Sequence, residues 1–233
     1  MTGRLIKLQE AAGSYQARMQ EFEQLREETM KREAEKRRQE RIKTLVDMVP
    51  LRFRHKSLAD YEITAPAQSQ VKHIAMRYVD SFKERLQEGS SLIMHGNPGT
   101  GKTLLSLIMY QALAQQGFNV CYKPSLDFIH ELIETKFKSQ SAYQQHLRMY
   151  LDIHFLVLDE VTQSVSKGGV PSDQEKQVLF QLINQRYENN LCTVVITNRD
   201  KEELTKCLSL PIVDRLLERG VTLAFDWQSY RQR

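Results

Sequence analysis

Eight residues, Gly96-Asn97-Pro98-Gly99-Thr100-Gly101-Lys102-Thr103, constrain this chain more than any other stretch. They spell GxxxxGK[ST], in which successive backbone N–H groups turn inward around phosphate oxygens and the glycines keep a Cβ out of the approach. Lys102 has the reach for the β- and γ-phosphates, and the Thr103 hydroxyl is suited to Mg²⁺. The motif works only between a strand and a helix, and both are predicted. Ser91-Leu92-Ile93-Met94-His95 reads as a short buried strand, and 104–115 as a helix whose N-terminus faces the phosphates. Binding of ATP with Mg²⁺ is the expectation that follows.

Strands and helices alternate around this unit. Apolar runs at 118–123, 153–158, 192–197 and 221–225 predict four further strands, while 126–137, 142–151, 175–187, 202–208 and 212–217 predict helices. Residues 71–86 read as a single amphipathic helix, with Val71, Ile74, Ala75, Tyr78, Val79, Phe82 and Leu86 on one face. Such alternation gives an α/β fold, a mostly parallel five-stranded sheet flanked by helices. The stretch 163–172 is polar and contains glycine, and reads as a mobile loop.

Phe155-Leu156-Val157-Leu158-Asp159-Glu160 is four apolar residues followed by two carboxylates. A buried strand can deliver acids only at its carboxyl end, where α/β sheets bind ligands. Asp159 is expected to hold Mg²⁺ through water, and Glu160 to orient or deprotonate an attacking water. An acid in that place favours hydrolysis over transfer to a bound acceptor, and no lid-like arginine cluster suggests a small-molecule kinase. Asn198 ends the next apolar strand. Its amide can reach both a γ-phosphate and the water, or simply serve a turn, and the residues alone do not choose.

The N-terminal part has a different character. Leu5, Leu8, Ala12, Tyr15, Met19 and Phe22 are spaced 3-4-3-4-3, which sets them on one seam of a helix. Gly13 weakens that helix by about 1 kcal/mol relative to alanine. From 26 to 43 the seam gives way to a mixed-charge run with many i,i+4 pairs, which reads as a solvated helix. Val49-Pro50 breaks it, since proline disfavours α conformation in the residue before it. A helical segment over 1–48 and a nucleotide-binding domain over 49–233 are therefore expected. The formal charge of +4 falls wholly within residues 1–60, which carry 14 Lys/Arg against 10 Asp/Glu. That is a weak pointer to an acidic partner. Cys121, Cys192 and Cys207 form no CxxC pair, no apolar run is long enough to span a membrane and no signal sequence is evident. A reduced, cytoplasmic setting is expected, with no membrane partner.

At these residues a family resemblance enters. The P-loop, the Leu-Val-Leu-Asp-Glu strand and the Thr197-Asn198 strand end resemble the core of AAA+ ATPases. Val49-Pro50-Leu51-Arg52-Phe53-Arg54 with Leu58-Ala59-Asp60-Tyr61 resembles the lead-in segment of bacterial helicase loaders. Ile212-Val213-Asp214-Arg215-Leu216 and Phe225-Asp226-Trp227-Gln228-Ser229-Tyr230-Arg231 resemble the end of the DnaC type in particular. The match covers about residues 49–233, which the resemblance makes an AAA+ ATPase domain. It implies a loader that binds the replicative helicase hexamer through the N-terminal helix and delivers it onto single-stranded DNA, self-assembling with ATP sites between subunits. It makes Asn198 the γ-phosphate sensor, Arg215 the finger toward a neighbouring subunit's nucleotide and Arg231 a second, cis-acting sensor. It also sets 125–138 beside the DNA path, where Phe128, Lys136, Phe137 and Lys138 are candidates for stacking and phosphate contact, with core packing an equal account of Phe128. Ser209-Leu210-Pro211 departs from the Gly-Glu-Arg of many relatives. The alternatives are a transposition helper ATPase of the IstB type and a nucleotide-gated adaptor with little turnover.

Overall fold

A computed structural model describes residues 2–162 and 171–232, and their side chains except those of residues 2–18, 21, 201 and 232. The side chains of Leu5, Leu8, Ala12 and Tyr15 of the predicted seam, and residues 163–170 of the predicted loop, lie outside what is described. The chain divides into two compact units, Met1–Thr44 and Leu45–Arg233. The first is occupied by one long helix, α1 (Thr2–Asp47), whose end belongs to the second unit. From Phe22, which is 61% exposed, to Arg41 its side chains are solvated, and the pairs Glu27–Lys31, Glu33–Arg37 and Lys36–Glu40 run along it at i,i+4 spacing. Fully exposed pairs of this kind contribute little individually.

The second unit alternates as the composition dictates: α2 (Pro66–Asp80), α3 (Phe82–Glu88), β1 (Leu92–Gly96), α4 (Lys102–Gln115), β2 (Val120–Pro124), α5 (Ser125–Lys138), α6 (Gln140–Met149), β3 (Phe155–Asp159), α7 (Asp173–Glu188), β4 (Cys192–Ile196), α8 (Lys201–Leu208), α9 (Leu210–Glu218) and β5 (Val221–Phe225). The five strands form one sheet in the order β2-β3-β4-β1-β5, and every pairing is parallel. Central β3 and β4 are buried at every residue, as strands covered on both faces must be, whereas β5, at an edge, alternates between buried and exposed. The period of two splits the core. Leu92, Met94, Phe155, Val157, Val194 and Ile196 pack under α2, α3 and α4, while Ile93, Leu156, Leu158 and Val195 pack under α5 through α9.

The single helix expected over 71–86 is two. Both the backbone N–H and the hydroxyl of Ser81 bond the Arg77 carbonyl, at 3.0 and 2.7 Å, and φ/ψ of −102°/24° ends α2 there. Phe82 and Leu86 still reach the core, because the chain restarts as α3 at once. α7 begins on a capping box in which the Ser172 hydroxyl accepts from the Glu175 N–H and the Glu175 carboxylate from the Ser172 N–H.

Candidate nucleotide-binding site

The carboxyl ends of β1, β3 and β4 open onto a cavity of about 520 Å³. The P-loop forms its floor between β1 and α4. Gly96 has φ +120°, and a Cβ there would stand 2.6 Å from the Phe225 carbonyl oxygen; Gly99 has φ +74°, and a Cβ would stand 2.1 Å from Ser229 Oγ. At Gly96 the obstacle is backbone and no side chain fits; at Gly99 the positive φ and the neighbouring serine both disfavour one, so the glycines permit both the turn and the approach of the chain beyond β5. That approach is extensive. Asn97 Nδ2 donates to the carbonyls of Asp226 and Trp227 at 3.1 and 3.3 Å, Trp227 Nε1 donates to the Thr100 carbonyl at 3.0 Å, and the Tyr230 N–H donates to the Gly99 carbonyl at 2.9 Å. Pro98 lines the cavity from the loop's outer turn.

Lys102 begins α4 and folds over the loop, its Nζ donating to the carbonyls of Gly96 and Asn97 at 2.8 and 2.6 Å. Burial lowers its pKa to about 8, partly opposed by the Asp159 carboxylate and helped by the Arg231 guanidinium. Next to it, Thr103 Oγ1 donates to Asp159 Oδ2 at 2.8 Å, joining the P-loop helix to the end of β3. Asp159 is 4% exposed; its Oδ1 accepts from the Glu160 N–H at 2.9 Å and its Oδ2 also from the Tyr122 hydroxyl at 2.9 Å. Glu160 leaves the strand with φ +59°, its carbonyl accepting from Ser125 Oγ at 3.0 Å, and its side chain is exposed to the cavity. Asn198 lines the same cavity just beyond β4, where Thr197 is fixed by a 3.0 Å hydroxyl bond to Thr162.

Of the residues expected from sequence, Pro98 to Thr103 of the P-loop, Asp159, Glu160, Asn198 and Arg231 share one cavity, while Gly96 and Asn97, at the end of β1, do not line it. Arg215 does not line it. Its guanidinium donates to the Pro211 carbonyl at 3.2 Å and lies 5.5 and 5.9 Å over the rings of Phe180 and Tyr187. Phe128 is wholly buried in the helical layer, so core packing is its role and DNA stacking is not open to it. Sequence reasoning missed the part of the cavity wall that precedes α2. Arg52, Phe53 and Tyr61 line the cavity from the segment before α2, and Tyr61 lies within 3.1 Å of where a Gly101 Cβ would be. Tyr122 was missed as well. Its alternation on β2 put it on the same sheet face as Asp159, which was the available signal.

The arrangement can hold a triphosphate against the loop and present two acids to its end. Among the described residues no three His, Cys, Asp or Glu side chains converge as a closed metal site. Nor does any described helix have the length and apolarity to cross a membrane.

Comparison with known proteins agrees with this geometry. The family model described as IstB-like ATP binding protein matches residues 4–233. The chain is 29% identical over 179 residues to the replicative helicase loader DnaC of Escherichia coli K12, covering 76% of this chain and 69% of that protein. It is also 29% identical over 153 residues to the insertion sequence IS21 putative ATP-binding protein of Pseudomonas aeruginosa, covering 63% of this chain and 54% of that one. In fold it is similar to a crystal structure of the DnaC helicase loader, with a TM-score of 0.68, 22% identity and coverage of 76% of this chain and all of that one. The replication initiator DnaA bound to AMPPCP and single-stranded DNA is similar at a TM-score of 0.63 and 18% identity, over 78% of this chain and 52% of that one. The chain belongs to the family of IstB-like ATP-binding proteins, and is a P-loop ATPase of the AAA+ class.

Proposed function

We propose that this ATPase delivers a replicative DNA helicase onto single-stranded DNA, in the cytoplasm, during replication initiation or restart. The observation that carries this is the 179-residue likeness to proteins named as replicative helicase loaders, broader than the 153-residue likeness to the IS21 protein. On this reading Lys102 leaves the Gly96 and Asn97 carbonyls to meet the β- and γ-phosphates. Thr103 and Asp159 are hard oxygen donors already in contact, a set that suits Mg²⁺ shared with phosphate oxygens and water. Bound there, Mg²⁺ supplies neutralisation of the phosphate charge. Glu160 accepts the proton of the attacking water, Asn198 holds that water against the γ-phosphate, and Arg231 reaches the phosphates of its own subunit. Arg215, which does not line its own subunit's cavity, serves the site of a neighbouring subunit in an assembly on the helicase hexamer.

The seam of the 1–48 helical segment is the helicase-binding surface on this reading. Met19 and Phe22, its two members with described side chains, are 42% and 61% exposed. The DNA-facing segment is α5, over 125–138, at its carboxyl end. There Phe137 is 80% exposed beside the exposed Lys138, a stacking group next to a phosphate-pairing charge. A second reading, a transposition helper, is favoured by the IstB-like family model spanning residues 4–233.

The deciding experiment mixes the full chain with a purified replicative helicase hexamer of the same source, with and without ATP, and follows the mixture by size exclusion. A stable complex that Tyr15→Ala/Phe22→Ala weakens more than tenfold supports loading, since buried anchors contribute about 2 kcal/mol or more each. No complex under either condition overturns it, and binding to a transposase instead supports the second reading.

A further inference from the structure

Tyr122 stands on β2, outside both the P-loop and the acid pair, yet its hydroxyl touches the carboxylate between them. β2 and β3 pair with Tyr122 opposite Val157 and Pro124 opposite Asp159. Tyr122 and Asp159 therefore project from one sheet face as diagonal neighbours, within reach of a long aromatic side chain. The phenol donates to Asp159 Oδ2 at 2.9 Å; Thr103 Oγ1 donates to the same oxygen at 2.8 Å, and the Glu160 N–H holds Oδ1 at 2.9 Å. Three donors from three elements thus converge on one buried carboxylate. Three residues beyond Tyr122, Ser125 Oγ bonds the Glu160 carbonyl, so the junction of β2 and α5 touches both acids.

We infer that Tyr122 is a positioning residue for the metal-holding acid: its hydroxyl fixes the orientation of the Asp159 carboxylate that receives Mg²⁺ with the nucleotide. The inference rests on the assignment of Asp159 to the metal. Thr103 holds Asp159 Oδ2 from the P-loop helix, and Tyr122 holds the same oxygen from the neighbouring strand. The phenol therefore fixes the carboxylate from a second direction, on an element outside the phosphate-binding loop. Hydrogen-bonded partners of metal ligands typically change metal affinity about 10–100-fold when removed.

The test uses the full chain, ADP as nucleotide and Mg²⁺ as the titrant, read by calorimetry on wild type, Tyr122→Phe and Asp159→Asn. In Tyr122→Phe, ADP affinity in EDTA and the melting temperature should match wild type, while half-saturation by Mg²⁺ rises about tenfold or more. Unchanged Mg²⁺ dependence in Tyr122→Phe, with that dependence lost in Asp159→Asn, overturns the inference and leaves the metal assignment standing. Unchanged dependence in Asp159→Asn overturns the metal assignment and the inference with it. A Tyr122→Phe variant that loses metal-free ADP binding and melts early shows a packing role, and also overturns it.

Discussion

The indole N–H of Trp227 donates to the carbonyl of Thr100 across 3.0 Å, from beyond the last strand into the middle of the P-loop. Trp227 is the sole tryptophan of the chain, so its fluorescence reports on one place. Titration with ATP should shift or quench its emission in a saturable way. Lys102→Ala should abolish the change while the melting curve stays close to wild type. An ATP-insensitive tryptophan in a protein shown by calorimetry to bind ATP would mean that the loop does not move on binding.

Lys102 sets a pH dependence of two opposite signs. Its folded pKa of about 8 lies below the 10.5 of a free lysine, so the unfolded chain binds more protons between those values and stability should rise with pH across that window. Nucleotide affinity should do the reverse. It should hold below pH 8 and fall above it, as the free lysine loses the charge that meets the phosphates, and binding near pH 8–9 should take up a proton. Calorimetry in buffers of differing ionisation enthalpy measures that uptake, and Lys102→Met should remove it.

Glu160→Gln should retain nucleotide binding and lose turnover by about 10²–10⁴-fold, the range for removal of a general base. Single-turnover hydrolysis with helicase and single-stranded DNA present is the measurement. Full turnover in the variant would take the proton-accepting role away from Glu160.

The P-loop and the acids were legible because each is a short, contiguous pattern with its own strand. The cavity wall was not. Nothing in the spacing of Arg52, Phe53 and Tyr61 says that a segment some 40 residues upstream folds across the P-loop. The break at Ser81 was hidden for a different reason. Phe82 and Leu86 continue the apolar periodicity of 71–79, and periodicity does not register one serine bonding back to Arg77. Arg186 sat unremarked within a predicted helix, since a charged residue there ordinarily faces water.

Arg186 is in fact fully buried, with burial lowering its pKa to about 10. Its guanidinium donates to the carbonyls of Tyr150, Ile153 and Cys192 and to the Thr193 hydroxyl, tying the amino ends of β3 and β4 to α7. Arg186→Leu strands these acceptors, each worth about 1–3 kcal/mol when buried and unsatisfied. A loss of about 3 kcal/mol or more, or roughly 6–12 °C in melting temperature, is expected. Scanning calorimetry checks it, and a shift under 2 °C or so would show that water replaces the guanidinium.

Two phenylalanines of α5 should separate cleanly. Phe128→Ala should cost about 3–5 kcal/mol of stability as a core truncation. Phe137→Ala should leave stability unchanged and weaken single-stranded DNA binding about tenfold, within the 1–3 kcal/mol of one stacked base. Chemical denaturation and fluorescence anisotropy on both variants distinguish the two outcomes.

Glu160 holds a left-handed backbone, φ +59°, with the Ser125 hydroxyl on its carbonyl. Few non-glycine residues adopt that region, and a glycine there would relieve about 1–2 kcal/mol. Thermostability selection acting on this ATPase without regard to turnover would therefore be drawn to Glu160→Gly, a variant expected to melt higher and to lose turnover by about 10²–10⁴-fold, as Glu160→Gln does. On the proposed catalytic role of Glu160, fold and catalysis pull in opposite directions at this one residue, and screens for robust variants should read out activity there first.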